Sequence, residues 1–478
     1  MDSHSTAGPR ALMRAAEAAI AYRQSVQSAD HTPVLGYAAM LSAFEAPTPE
    51  HPGEADVIIA ELIHRATPGM RASAGPRFFG WVIGNSHPTG VAADWLTAAW
   101  GQNAGNILAA PAAAAVEAVA AGWLLDLLDL PRTASVGFVT GATVASFVCL
   151  AAARSELLRR VGWDVEANGL FDAPPVQVLI GADAHATVYS ALKYLGLGAR
   201  RVHVIDTDNE GRMRAGALER TLRELAGPLI VLGQAGQLNS GASDPFIDIA
   251  PLVADRGGWL HVGGAFGLWA RACPTRAKQV EGVDLADSLA TDGHKWLQTP
   301  YDSGYAIVRR PEAHRRAMAF NASYLPPAEG AERDPSAYVP ELSRRARGFA
   351  TWAMIRQLGR SGIAEMVEGC CALAALMAER LAAEPGVTLV CPVELNQSMV
   401  AFGDGDDGQD DALTLAVVRQ VQDDAVAFIG SSQWRDRWVM RVSVSSIATT
   451  RRDAELTVDA VIDAWRRVAA RPPARGAV

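Results

Sequence analysis

Short apolar runs alternate with longer amphipathic ones between about residues 95 and 310. The runs SVGFVT, VQVLIG, RVHVID, PLIVLGQA and GGWLHVGG have the length and apolar content of buried strands. ATVASFVCLAAARSELLRRVG and ATVYSALKYLGLG, with helical patterns, separate the first of them. Strands alternating with helices predict an α/β domain with a mostly parallel sheet. Residues 10–70 read as helices broken by proline-rich turns such as EAPTPEHPGEAD, too interrupted to hold a core, so they are expected to wrap onto something else. After Tyr305 the polar stretch SYLPPAEGAERDPSAYVPE reads as a mobile loop. A long helix is predicted from near Ser343. GVTLVCP, QSMVAFGD and RWVMRVSVSS then alternate with helices, the pattern of a smaller α+β domain, and the tail RRVAARPPARGAV is expected to fray.

Composition narrows the class. With 478 residues, 49% hydrophobic and 20% charged, the chain can bury a large core and form two or more domains. A formal charge of -9, with arginines scattered rather than blocked, argues against a nucleic-acid partner. The five cysteines are odd in number and lack metal-ligand spacing, which predicts a reducing cytoplasm and no structural metal. The first residues have no continuous apolar core of a signal peptide. The most apolar stretch, 108–130, is interrupted by Pro111, Glu117, Asp126 and Asp129, so a packed helix is expected there and no membrane span. The acidic tract GDGDDGQDD reads as a solvated turn.

In open α/β sheets ligands bind beyond the carboxyl ends of the strands. In VTGATVASF a strand passes through Gly141 into a helix whose free N–H groups suit an anion such as phosphate, with Thr143 adding a hydroxyl. The competing reading is a plain glycine turn. His185, in DAHATV, either caps a helix or meets a flat ligand. Lys295, in TDGHKWL, stands in apolar surroundings that lower a lysine pKa and free its amine for Schiff-base chemistry; a surface lysine beside an aromatic is the alternative. In WLHVGGAFGLWA a strand runs into Gly263 and Gly264, where something must approach the backbone.

TDGHKWL, about thirty residues after WLHVGGAFGLWA, resembles the pyridoxal-phosphate signature of the group II amino-acid decarboxylases, the aromatic amino-acid and glutamate decarboxylase family. GPRFFGWVIG, NILAAPAAAAVEAVAAGWL, TGATVAS, DAHATV, QAGQLNSGASDP and ELSRRARGFATWAMIRQLG resemble further family stretches in the same order. The resemblance implies a type I PLP-dependent transferase fold: a mainly parallel seven-stranded sheet with helices on both faces, and a small α+β C-terminal domain. It divides the chain into a dimer-wrapping segment 1–94, a cofactor domain 95–320, a mobile loop 321–342 and a small domain 343–478. It also implies a cytoplasmic homodimer acting on an L-amino acid. Lys295 would hold pyridoxal 5'-phosphate, with His185 stacked on its ring. Ala142, Thr143 and His294 would hold the phosphate, Asn239, Gly241 and His261 would lie near the ring, and Gly141, Gly263, Ala265 and Asp292 would also line the cofactor site. Phe79 and Trp81, with Pro76 and Phe78 beside them, match the substrate entry, although aromatics at that spacing also suit a core.

The family carries an aspartate where this chain has Gly263, and that acid pairs with the cofactor's pyridine nitrogen. A charged hydrogen bond of roughly 1.5 to 3 kcal/mol is missing. Three readings follow: a decarboxylase in which water or another residue replaces the acid, an altered enzyme forming an aldehyde or transaminating, and a cofactor-binding homologue without lyase activity. The resemblance also assigns a proton-donating tyrosine to the loop, for which Tyr338 is the first candidate and Tyr324 the second. Arg344, Arg345 and Arg347 are candidates for a substrate carboxylate or a subunit contact.

Overall fold

The computed structural model describes residues 4–319, 333–405 and 407–471. Its large sheet contains β1 (Ser135–Val139), β2 (Gln177–Gly181), β3 (Val202–Ile205), β4 (Leu229–Gln234), β5 (Trp259–Gly263), β6 (Ser288–Asp292) and β7 (Gly304–Val308). The order across the sheet is β1-β7-β6-β5-β4-β2-β3. β7 runs antiparallel to both neighbours and the other pairs are parallel. This is the expected type I fold. The five strands read from apolar runs are all present. β6 and β7 were not among them: SLATD holds only one large apolar side chain, and GYAIV follows a turn-rich stretch.

Burial on both faces explains the apolar strands. Val136, Phe138, Leu179, Val231, Leu260 and Val262 face one core, which also holds the helices Pro111–Leu127 and Phe246–Asp255. Their alternates Val178, Ile180, Ile230, Leu232 and Trp259 face a second core beneath the helix Ala142–Arg160. The stretch 108–130 is therefore a core helix.

The smaller unit is an antiparallel sheet of β8 (Val387–Leu389), β9 (Gln397–Phe402), β10 (Gly430–Trp434) and β11 (Arg437–Ser443), in the order β10-β11-β9-β8. Three helices accompany it: Gly348–Ala382, Asp407–Asp423 and Arg451–Ala470. The first begins five residues later than Ser343, because the side chains and backbone of the intervening stretch bond to residues 103 and 104 instead. It is long and apolar enough to cross a membrane, yet Met354, Ile363, Val367 and Cys371 place it in the core, and Gly359 interrupts it at φ 63°.

The helices His4–Ser25, Tyr37–Phe44 and Ala55–Ala66 differ from all of these. The second and third bury no residue, and Leu12, Leu41, Val57, Ile58 and Leu62 are each at least half exposed.

Candidate active site

A cavity of about 380 Å³ opens at the carboxyl ends of β1, β4, β5 and β6. At the end of β1, Gly141 opens the helix Ala142–Arg160 without a side-chain cap. The chain must be small here. A Cβ on Gly304 would lie 2.5 Å from the Gly141 Cα, and one on Gly141 would lie 3.0 Å from the His294 Cε1. Thr143 lines the cavity beside these free helical amides, an arrangement that suits an anion. The Ala142 N–H, expected at a phosphate, already donates to Asp292 Oδ1 at 2.6 Å.

Asp292 ends β6 and is almost wholly buried. Its Oδ2 stands 3.0 Å from Lys295 Nζ. Lys295 therefore lies in the cavity wall as expected, but paired with a carboxylate rather than isolated in apolar surroundings. His294 Nδ1 accepts from the Ser303 N–H at 3.2 Å, which leaves the proton on Nε2, 3.5 Å from Asp292 Oδ1. Burial is the main cause that lowers the His294 pKa, opposed by Asp292.

His185 caps the helix Ala186–Tyr194, and its Nδ1 accepts from the Thr187 N–H at 3.2 Å and faces the Thr187 hydroxyl at 2.7 Å. It is a helix cap, and it also lines the cavity. The cap occupies Nδ1, so the proton resides on Nε2. Enclosure by protein lowers the His185 pKa first, and the positive charges of Lys295 and Arg441 lower it further.

Gly263 forms part of the cavity floor. A Cβ there would meet nothing nearer than the Gly233 carbonyl oxygen at 3.9 Å. Its sheet neighbours in register are Gln234 on β4 and Ala290 on β6, and Ala265 follows in the lining. His261 shares the face of Gly263 but is buried beneath the cavity, with Nδ1 3.0 Å from the Ser288 hydroxyl and Nε2 3.4 Å from that of Ser146. Burial pushes the His261 pKa down to about 3, so the ring is neutral.

Other expected residues lie elsewhere. Phe79 is core, 1% exposed, while Trp81 two positions on lines the cavity mouth against Phe428. Trp81 and Val82 both adopt left-handed backbone, at φ 54° and 57°, a costly conformation for a β-branched residue. Tyr338 is buried outside the cavity, its ring against His314 and under the Arg333 guanidinium. Tyr324 lies outside the described residues. Arg344 bonds Glu117 and the Phe138 carbonyl in the interior, Arg345 bonds Asp94, and Arg347 bonds Asp302. Asn239 and Gly241 do not line the cavity, whereas Gly236 and Leu238 of the same loop do.

Sequence reasoning missed Arg441 on β11. Its guanidinium is buried, donating to the Leu238 carbonyl at 3.2 Å with Asn239 Oδ1 at 3.5 Å, and burial alone brings its pKa down to about 10. No described carboxylate forms an ion pair with it. An arginine alternating with apolar residues in RWVMRVS was the available signal, since an inward charge in a buried strand needs a reason. Ser146 and Gln234 were also missed, being ordinary polar residues in sequence.

Comparison with known proteins identifies the family and the fold. The model of the pyridoxal-dependent decarboxylase conserved domain matches residues 38–403. A 4-hydroxyphenylacetaldehyde synthase of Rhodiola rosea is 27% identical over 425 residues, 85% of this chain and 84% of its own. An aromatic-L-amino-acid decarboxylase of Bacillus atrophaeus is 26% identical over 385 residues, 78% of each chain. Among solved structures, Oryza sativa TDC with PLP and tryptamine superposes with a TM-score of 0.89 at 22% identity, over 98% of this chain and 99% of that one.

Proposed function

Because the chain belongs to the pyridoxal-dependent decarboxylase family, we propose that it releases carbon dioxide from an L-amino acid, with the cofactor held covalently at Lys295. The cofactor of the family is pyridoxal phosphate, and the cavity fits it: uncapped helical amides at one end, an amine in the wall, and a volume of about 380 Å³. Bound there, pyridoxal phosphate supplies an electrophilic carbonyl and a conjugated ring that withdraws electrons from the carbon bearing the substrate's amine.

The observation that carries the reading is Lys295 Nζ in the cavity wall, beside the uncapped start of the helix at Ala142 and Thr143. Asp292 positions that amine. Arg441, a buried cation without a carboxylate partner among the described residues, stands behind the lining close enough to lower the pKa of His185, and would hold the substrate carboxylate if it reaches through. Trp81, Val82, Val188, Leu238 and Phe266 give an apolar lining that favours an uncharged side chain. His185, with its proton on Nε2, offers that proton to the cavity.

A second reading is favoured by the burial of Tyr338 away from the cavity. With no phenol in the described lining, Tyr338 does not serve as donor for the protonation that gives an amine, and Tyr324 lies outside the described residues; where that protonation fails, aldehyde formation takes its place. Molecular oxygen and water would then be consumed, with release of an aldehyde, carbon dioxide, ammonia and hydrogen peroxide. The exposed apolar faces of the three N-terminal helices support burial against a second copy of the chain, a homodimer. Five unbridged cysteines support a reducing, cytoplasmic location.

The test is borohydride reduction of the protein with pyridoxal phosphate, peptide mapping, and assay of L-amino acids for carbon dioxide, amine, aldehyde and peroxide. Label on Lys295 with carbon dioxide and amine supports the first reading, and aldehyde with peroxide supports the second. Absence of label on Lys295 rejects both.

A further inference from the structure

Charge is unevenly placed around the cavity. Asp292, Lys295 and His294 follow β6, next to the helix that leaves β1. Across the floor, on β5 and β4, the facing groups are Gly263, Gln234 and, beneath Ser146, the neutral His261. Asp244 is the other carboxylate close to this floor, but it lies on the opposite face of the sheet, where its oxygens accept the Met213 and Gln234 N–H groups at 2.7 Å each. Asp292 is the one carboxylate in the described lining, and it is committed to Ala142 and Lys295.

A chain of hydrogen bonds gives the floor its polarity. The Trp259 indole can only donate, and it donates to the Ser288 hydroxyl oxygen at 2.8 Å. Ser288 is then free to give its own proton to His261 Nδ1, which leaves the imidazole proton on Nε2, directed at the Ser146 oxygen. Ser146 lines the cavity and ends this chain with a hydroxyl proton to donate.

In pyridoxal phosphate the carbonyl carbon and the ring nitrogen are attached across the ring from each other. With the carbonyl held at Lys295, the nitrogen would lie toward the floor. We propose that this site holds pyridoxal phosphate with its ring nitrogen unprotonated, accepting a hydrogen bond from the Ser146 hydroxyl where an acid would otherwise stand. The inference rests on the pyridoxal phosphate reading of the cavity. No described carboxylate in the lining of the floor would hold a proton on that nitrogen. The ring then withdraws electrons less strongly, so the cavity favours retention of the cofactor over rapid carbanion chemistry.

The test uses the full-length protein loaded with pyridoxal phosphate labelled with nitrogen-15 in the ring. Borohydride mapping of a parallel sample to Lys295 establishes that the site is loaded. The expected resonance at neutral pH is that of a hydrogen-bonded, unprotonated pyridine. Ser146→Ala should keep the unprotonated form, lose the hydrogen-bond shift and weaken cofactor binding about two- to tenfold. Gly263→Asp should move the resonance to the pyridinium position, since a side chain there meets no close atom. A pyridinium resonance in the unaltered protein would overturn the proposal, whether or not the aspartate variant folds. An unchanged resonance and affinity in Ser146→Ala would overturn the role of Ser146. Failure to label Lys295 would remove the cofactor reading, and this inference with it.

Discussion

The two ends of the cavity are built on opposite terms. At the helix end a carboxylate, a lysine and a histidine crowd against backbone that tolerates no added atom, whereas the strand floor is uncharged and has room to spare. Holding a ligand and activating it are therefore separate properties of this site. The crowded end has kept the groups for the first, and the open end lacks an ionised group for the second.

The largest expected effect tests whether the crowded end is the one that holds the ligand. Lys295→Ala should lower turnover on the order of 10⁴-fold or more, measured as product formation under saturating cofactor. If it retains a substantial fraction of turnover, the division between the ends fails. Next come two glycines changed alike. Gly304→Ala should destabilise by about 3 kcal/mol, because its Cβ meets the Gly141 backbone, which cannot swing aside. Gly263→Ala should be neutral or stabilising by up to about 1 kcal/mol. Equal shifts in denaturant midpoint for the two would contradict the contrast in packing.

Asp292→Asn should cost about 2 kcal/mol in the cofactor-free protein, since the amide oxygen still accepts from Ala142 but the charge on Lys295 loses its partner. Chemical denaturation reads this directly. The smallest effect concerns the floor. His261 has a folded pKa of about 3 against an ordinary 6.5, so as pH falls below 6.5 the unfolded chain takes up a proton that the folded chain refuses. Its contribution is intact above pH 6.5 and is lost on descending toward 3. His261→Asn should make acid unfolding shallower by about one proton. Asp244, raised to about 6, acts with opposite sign, losing stability as pH rises through that value, and is unchanged by the substitution.

Much of this was legible in the chain. Lys295, Gly141 and His185 stand where strand-end reasoning placed them, because such positions depend on local punctuation by glycine and polar residues. Side-chain direction was harder to read. Phe79 and Trp81 are two residues apart and still part company, since the left-handed turn at Trp81 and Val82 breaks the alternation. His261 was expected near a ring and is instead one hydroxyl removed from the cavity. Arg441 approaches from the small domain, so its place depends on how the two sheets meet, which no local pattern carries. Tyr338 was chosen for its position in a loop, but packing against His314 and Arg333 decided its place.

The room left at Gly263 has an evolutionary meaning. Two of the four glycine codons lie a single base from aspartate, and a Cβ at this position meets no close atom. Where one of those codons is used, the uncharged floor is one mutational step from a charged one. Persistence of the glycine across lineages carrying this chain would then be the mark of selection for it.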